Sequence, residues 1–267
     1  MINKALLKQL FKSNMIIIAL FTVIIAFYQA IMIGMYTPLI IEQMEDMASS
    51  MGSLGSMGGM NSITGGYTGY IGKLYYAMIV PMFSMIYIII VGNKNIASRV
   101  DKGSMACILS TPMKRNTVTI TTSIFFILSL IAITVINCGV GLLVTAINKH
   151  AEIEMTKFLL MNANSLIFLI ALSSISFFFS CLFNESSKSI AFGGGIQIIF
   201  FLFFMISDFS EDLKIFKKIT IFSLNMQDKI AKTDYTPVFI SMGILAISSI
   251  ILYIAGIKVF NKKDLPI

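Results

Sequence analysis

Charge is what this sequence has least of. Only 12% of its 267 residues are Asp, Glu, Lys or Arg, while 57% are hydrophobic. An ordinary soluble domain carries roughly 25% charged residues. A soluble fold of this length leaves too much surface in water to hide so much apolar area, so a soluble enzyme is excluded. Histidine occurs once, at His150, which argues against Ser–His catalysis and His-ligated metal sites. Neither His-Glu-x-x-His nor Gly-x-Ser-x-Gly occurs. The three cysteines, Cys107, Cys138 and Cys181, are odd in number and scattered, so neither a disulfide framework nor a metal spacing emerges. No phosphate-binding loop is present. The nearest string, GGYTGYIGKL, has the wrong Gly spacing and places Leu74 where Ser or Thr would hold Mg²⁺. The chain therefore cannot hydrolyse ATP by that route. Its start, MINKALLKQLFKSN, lacks a small-residue cleavage site after a short apolar core and reads as uncleaved.

What is present is apolar length. A membrane-spanning helix needs about 20 apolar residues. Six runs qualify, over 15–35, 74–91, 118–146, 158–183, 190–206 and 238–257. They predict an all-α integral membrane protein with one domain over 1–267. The third and fourth runs are long enough to tilt or to extend beyond the bilayer. None contains Asp, Glu, Lys or Arg. Proton- and sodium-driven pumps bury such groups along their pathways, so coupling to an ion gradient is disfavoured. The side-chain amides inside the runs are Gln29, Asn137, Asn162, Asn164 and Gln197. Hydrogen bonds between helices and the lining of a path are both open roles for them.

The net charge is +7. The positive residues flank apolar runs, which points to an anionic membrane surface rather than nucleic acid. With the N-terminus inside, 12 of the 20 Lys and Arg residues fall on the inner side. Five of the outer eight share one loop: Lys214, Lys217, Lys218, Lys229 and Lys232. The positive-inside rule then places both termini in the cytoplasm.

The connecting segments differ in character. Residues 2–12 set Ile2, Leu6 and Leu10 on one helical face and Lys4, Lys8 and Lys12 on the opposite one. Such a segment either lies in the interface near anionic headgroups or simply extends the first span. The outer loop 36–73 carries Glu42, Glu45 and Asp46 and then becomes rich in Gly, Ser and Met. That composition fits a flexible lip with adaptable apolar contacts or a tolerated loop. Its methionines lack the Cys or His that would support a Cu(I) site.

The inner loop 92–116 combines Arg99, Asp101 and Lys102, a turn at Gly103, and Met105, Ile108 and Leu109 at helical spacing before Pro112. It predicts a short amphipathic helix on the cytoplasmic surface, and offering a partner apolar anchors and merely resting on lipid are both open. The second inner loop, 184–188, is so short that the fourth and fifth spans must form a tight hairpin. The fifth span opens with Gly193, Gly194 and Gly195, followed by Gln197. Close packing or a dimer seam and a local unwinding are both open. In segment 207–237, Phe209, Leu213 and Phe216 recur at helical spacing among charged residues, and Ile219, Ile221, Phe222 and Leu224 follow. This predicts re-entrant interfacial helices before the last span, with a surface helix of solvated charges as the alternative.

The stretch NIASRVDKGSMACILSTPMKRNTV resembles the signature of the type-2 ATP-binding-cassette (ABC) permeases. The matching residues are Asp101, Gly103, Ile108, Leu109, Ser110, Pro112, Lys114 and Arg115. The C-terminal Phe260, Lys262, Lys263 and Asp264 resemble the family's closing pattern. Ser98, Arg99 and Val100 stand where the family often has Glu, and Ser104 where Thr is common. The resemblance implies that two permease copies pair in the cell membrane. Each would grip a cytoplasmic ATPase subunit, which holds the ATP and Mg²⁺, so no cofactor is expected on this chain. Segment 96–110 would be the coupling element, with Met105, Ile108 and Leu109 as apolar anchors and Arg99, Asp101 and Lys102 as polar contacts. ATP-driven movement would reach the first and fifth spans, and 209–224 would form an outer gate through Phe209, Leu213 and Phe216. Export is the direction that the resemblance implies, with an amphipathic peptide as the favoured substrate. Sodium or drug efflux, or a non-transporting membrane anchor, are the alternatives.

Overall fold

The computed structural model describes residues 2–50, 66–109, 113–148, 150–152, 154–207 and 213–264. Among these, every regular element is helical, and six helical stretches are long and apolar enough to cross a membrane. In lipid this follows from the backbone, since only a helix or a closed barrel satisfies every N–H and C=O without water.

The first span is one unbroken helix, α1 (Lys4–Met35). The amphipathic segment is therefore its opening turns and not a separate helix lying in the interface. Asn3 caps it, its side chain accepting from the Leu6 N–H at 3.0 Å. Leu6 and Leu10 are buried, and Phe11 meets Phe125 edge-on at 4.9 Å. Tertiary packing thus carries these turns into the bundle. A short helix, α2 (Pro38–Ser50), follows. The Met-rich stretch after it lies outside the described residues.

The second span begins earlier than its apolar run. Helix α3 (Gly66–Tyr70) leads into a π-helical stretch, Ile71–Ile79, and then α4 (Val80–Asn95). The expected loop residues from Gly66 to Lys73 are thus helical. Tyr67 and Tyr70 pack on Tyr36 at 5.0 and 5.3 Å. The wider π ladder closes with the Val80 N–H bonding the Tyr75 carbonyl. Pro81, which has no N–H to give, stands just beyond.

Helices α5 (Ala97–Asp101) and α6 (Ser104–Leu109) form the next connection. The third span is α7 (Arg115–Ile147) and the fourth is α8 (Met155–Leu182). The fifth is divided at Gly194 into α9 (Ser186–Gly193) and α10 (Gly195–Ile206). Next come α11 (Lys214–Ile219), a 3₁₀ turn at Ile221–Leu224 and α12 (Gln227–Ala231). The sixth span is α13 (Tyr235–Lys262).

The fourth span is the axis of the bundle. Two thirds of its most apolar window, 67%, is buried, against 28% for the first, third, fifth and sixth spans. It is also the span richest in Ser and Asn. Polar side chains in lipid need partners, and those here turn to the backbone or across to neighbouring helices. Asn162 donates to the Phe158 carbonyl at 2.9 Å and to the Tyr76 hydroxyl at 2.8 Å. Ser173 shares a 2.6 Å hydrogen bond with Tyr253. The outward faces of α1, α10 and α13 are rows of exposed Ile, Leu, Val and Phe, as lipid-facing helices require.

Candidate functional site

Two places concentrate the non-helical backbone, one at each end of the bundle. The end where α1 begins and α13 finishes carries Lys94, Arg99, Lys102, Lys258 and Lys263, and is called the basic end here.

At the basic end, α4 gives way to α5 and α6 through two sharp turns. Gly103 sits at φ +70°, the left-handed conformation that glycine adopts without strain. Its N–H closes on the Val100 carbonyl at 3.0 Å, and the Lys102 N–H on Ser98 at 3.2 Å. A side chain at Gly103 would meet nothing within 4 Å, so backbone conformation rather than space accounts for the glycine. The pair of short helices has an inside and an outside. Ile96, Ala97, Val100 and Met105 are buried, Arg99 is half-buried, and Asp101, Lys102 and Gly103 are exposed.

The position of Met105 differs from the expected outward anchor. It packs into its own chain at 2% exposure, because the turn at Gly103 rotates α6 so that this side chain faces the bundle. Ile108 and Leu109 are described in backbone only, as part of α6. Arg99 and Lys102 stand where a partner could reach them.

Asp101 makes a contact that the sequence did not indicate. Its Oδ2 accepts from the Ser186 backbone N–H at 3.3 Å, at the first residue of α9. The Ser186 hydroxyl in turn accepts from the Asn93 side chain at 2.7 Å. A carboxylate near a helix N-terminus is stabilised by the partial positive charge there. The loops around 92–116 and 184–188 are thus joined, and the first of them is tied to the start of the fifth span.

Other ties surround this junction. The Asn14 amide donates to Asn95 at 3.1 Å, and the Lys94 ammonium to the Ser13 carbonyl at 2.8 Å. Arg115 donates to the Lys263 carbonyl at 2.8 Å, and the Lys263 ammonium to the Cys181 carbonyl at 3.2 Å. Asn261 bonds Asn116. Burial lowers the Lys263 pKa to about 8. Phe260 is fully buried, which explains an aromatic just before the terminal lysines.

The glycines of the fifth span meet their own chain. A Cβ on Gly193 would lie 3.2 Å from Phe179 Cβ and 3.5 Å from Ser176 Cα, both on α8. One on Gly194 would lie 2.8 Å from the Ile190 carbonyl and 3.0 Å from Ile89 on α4. Gly195 faces open space. The seam that Gly193 and Gly194 form is therefore internal to this chain. Gln197 is buried and donates to Leu172 O at 3.2 Å, Ser176 Oγ at 2.8 Å and Gly193 O at 2.8 Å. It fastens the fifth span to the fourth.

At the opposite end, the segment between α10 and α13 descends into the bundle. Phe222 is 1% exposed and sits among Phe168, Phe201 and Phe204, at ring distances of 5.1, 5.4 and 5.9 Å. Phe168 lies thirteen residues into α8, about 20 Å below the helix start at 1.5 Å per residue. This segment is re-entrant. Nearer the start of α8, Asn225 accepts from Asn164 at 3.0 Å and from Gln227 at 2.9 Å, and donates to the Tyr76 carbonyl at 3.2 Å. Gln227 also donates to Ser165 at 3.0 Å.

Of the three anchors expected in this segment, Phe209 lies outside the described residues. Leu213 is half-buried, and Phe216 packs on Phe203 at 5.0 Å. Phe222, Asn225 and Gln227 hold the segment in place. They fall in or beside the stretch expected to gate the outer side, but only their neighbours in space reveal their role.

Among the first four spans lies a small pocket lined by Ile25, Tyr75, Tyr76, Ser84, Asn137 and Asn162 among others. Asn137 Oδ1 and Ser84 Oγ are buried there without a hydrogen-bond partner.

The chain matches the family described as ABC-2 family transporter protein over residues 4–265, and so it belongs to that family. No curated protein matches it. It is a multi-pass membrane component of a transporter, not a catalyst; a separate ATP-binding subunit hydrolyses ATP.

Proposed function

We propose that this ABC-2 permease works as a pair of copies, each bound to its ATP-binding subunit at the basic end, and exports an amphipathic or hydrophobic substrate, with peptides favoured. The basic end is then cytoplasmic and both termini lie inside. The observation that carries the reading is the reach of the fifth span. At one end Ser186 is held by Asp101 of the first inner loop. At the other, Phe201 and Phe204 form part of the socket for Phe222. One element thus touches both the surface where an ATPase would push and the segment that closes the opposite side.

Movement of the first inner loop would draw on α9. The break at Gly194 would let α10 turn, and the aromatic socket would release the re-entrant segment. Gln197 ties this motion to the fourth span. The substrate class is supported by six apolar runs without Asp, Glu, Lys or Arg. Such walls offer apolar contacts and neutral hydrogen bonds rather than ion coordination.

The test is reconstitution of the permease with its ATP-binding subunit in vesicles. Amphipathic peptides should stimulate ATP hydrolysis and accumulate on the side opposite the nucleotide, whereas sodium should do neither. Stimulation by sodium alone would replace the substrate reading. Binding of the ATPase with no transported substrate would favour an anchoring role.

A further inference from the structure

We infer that Lys4, Lys8 and Lys12 form a binding row for the phosphate groups of anionic lipids in the leaflet at the basic end. The inference does not rest on any transported substrate. All three lysines are exposed, on the side of α1 away from buried Leu6, Leu10 and Asn14. The row continues at four-residue steps into Ile16 and Leu20, and beyond them into Val23, Phe27, Ile31 and Met35, all exposed. In a spanning helix such a row of large apolar side chains faces lipid tails.

Length fixes the depth. From Ile16 to Met35 the helix rises about 28 Å, close to the roughly 30 Å of a hydrocarbon core. Lys12 therefore stands about one turn outside the tails, at headgroup level, and Lys8 about 6 Å further out. Because α1 is a single rod and a four-residue step turns it by about 40°, Lys12 projects beside Ile16 on the side that the lipid covers, with Lys8 one step further round. Among the described residues, no carboxylate pairs with any of the three. Lys94, held on the Ser13 carbonyl at 2.8 Å, adds positive charge at the same level. Uncompensated ammonium groups beside a tail-covered face fit lipid phosphates better than an acidic protein surface, which would have to displace lipid to reach Lys12.

The test is native mass spectrometry of the full-length permease from micelles mixing phosphatidylcholine and phosphatidylglycerol. The unaltered protein should retain phosphatidylglycerol selectively. A Lys8→Gln, Lys12→Gln double variant should lose that preference by about fivefold per lysine, with an unchanged thermal midpoint. Added salt should weaken the preference. Lys232→Gln, an exposed lysine at the opposite end, should leave it intact. Equal retention by the double variant would overturn the proposal. So would loss of the co-purifying ATP-binding subunit with lipid retention unchanged, which would make the row a protein contact.

Discussion

Asp101 and Ser186 stand 85 residues apart in sequence, and the carboxylate of one accepts the backbone N–H of the other at 3.3 Å. This contact turns two separate loops at the basic end into one surface. Ser186 is the first residue of the fifth span, so under the proposed coupling a displacement of loop 92–116 would act on that span without an intermediary. The opposite end of the span is held by aromatic packing, because Phe222 sits among Phe201, Phe204 and Phe168.

Replacing Phe222 should open the re-entrant segment while leaving the bundle intact. Phe222→Ala removes a fully packed ring, a change that costs about 3–5 kcal/mol in a core. Hydrogen exchange of residues 213–231 should rise in the variant, and that of α8 should stay low. Exchange unchanged in 213–231 would show that the amide network of Asn225 and Gln227 holds the segment alone.

The fifth-span glycines should respond unequally to one added methyl group. Gly194→Ala places a Cβ 2.8 Å from a carbonyl oxygen and should destabilise by about 1–3 kcal/mol. Gly195→Ala meets nothing and should be neutral, or stabilising by up to about 1 kcal/mol through helix propensity. Thermal midpoints in detergent decide this. Equal losses would mean that Gly195 faces a second copy of the chain.

Gln29 is fully buried, and neither atom of its amide has a hydrogen-bond partner. It lies against Gly141 on α7. An unpaired buried polar group costs about 1–3 kcal/mol, so Gln29→Leu should raise the thermal midpoint. A fall would show that the amide is satisfied by bound water in the membrane.

Lys263 should give the fold a weak alkaline preference. Its folded pKa, about 8, lies below the ordinary 10.5. Between those values the unfolded chain binds more protons than the folded one, so stability rises with pH across that window. Below about 8 the penalty of burying the charge is fully present. Lys263 is half-exposed, so solvent screening keeps the effect small. Thermal midpoints between about pH 7 and 10.5 should climb, and Lys263→Met should flatten the slope. An equal slope in the variant would assign it to another group.

The six spans are legible in the sequence because a span is written locally, in about twenty consecutive apolar residues. Their ends are less so. Lys4–Lys12 and Gly66–Lys73 are helical because Leu6, Leu10, Tyr67 and Tyr70 find buried partners, and burial by a distant helix leaves no local mark. The turn at Gly103 could be read from the glycine itself. The direction of Met105 could not, since helical spacing defines a stripe without saying which way it faces. Asp101 was legible as a polar site residue but not as a partner of Ser186. The socket around Phe222 draws on three other helical positions, so nothing near Phe222 in sequence distinguishes it from Phe209 or Phe216.

The central claim is that the fifth span carries movement from the first inner loop to the re-entrant segment. It is tested most directly by spin labels at Ile206 and Leu224, with distances measured in the reconstituted complex before and after trapping ATP. In the unaltered permease the distance should change on trapping. With Asp101→Ala it should stay at its resting value while ATP still binds, and Asp101→Asn, which keeps an acceptor, should restore part of the change. A distance that shifts equally in the Asp101→Ala variant would contradict the account.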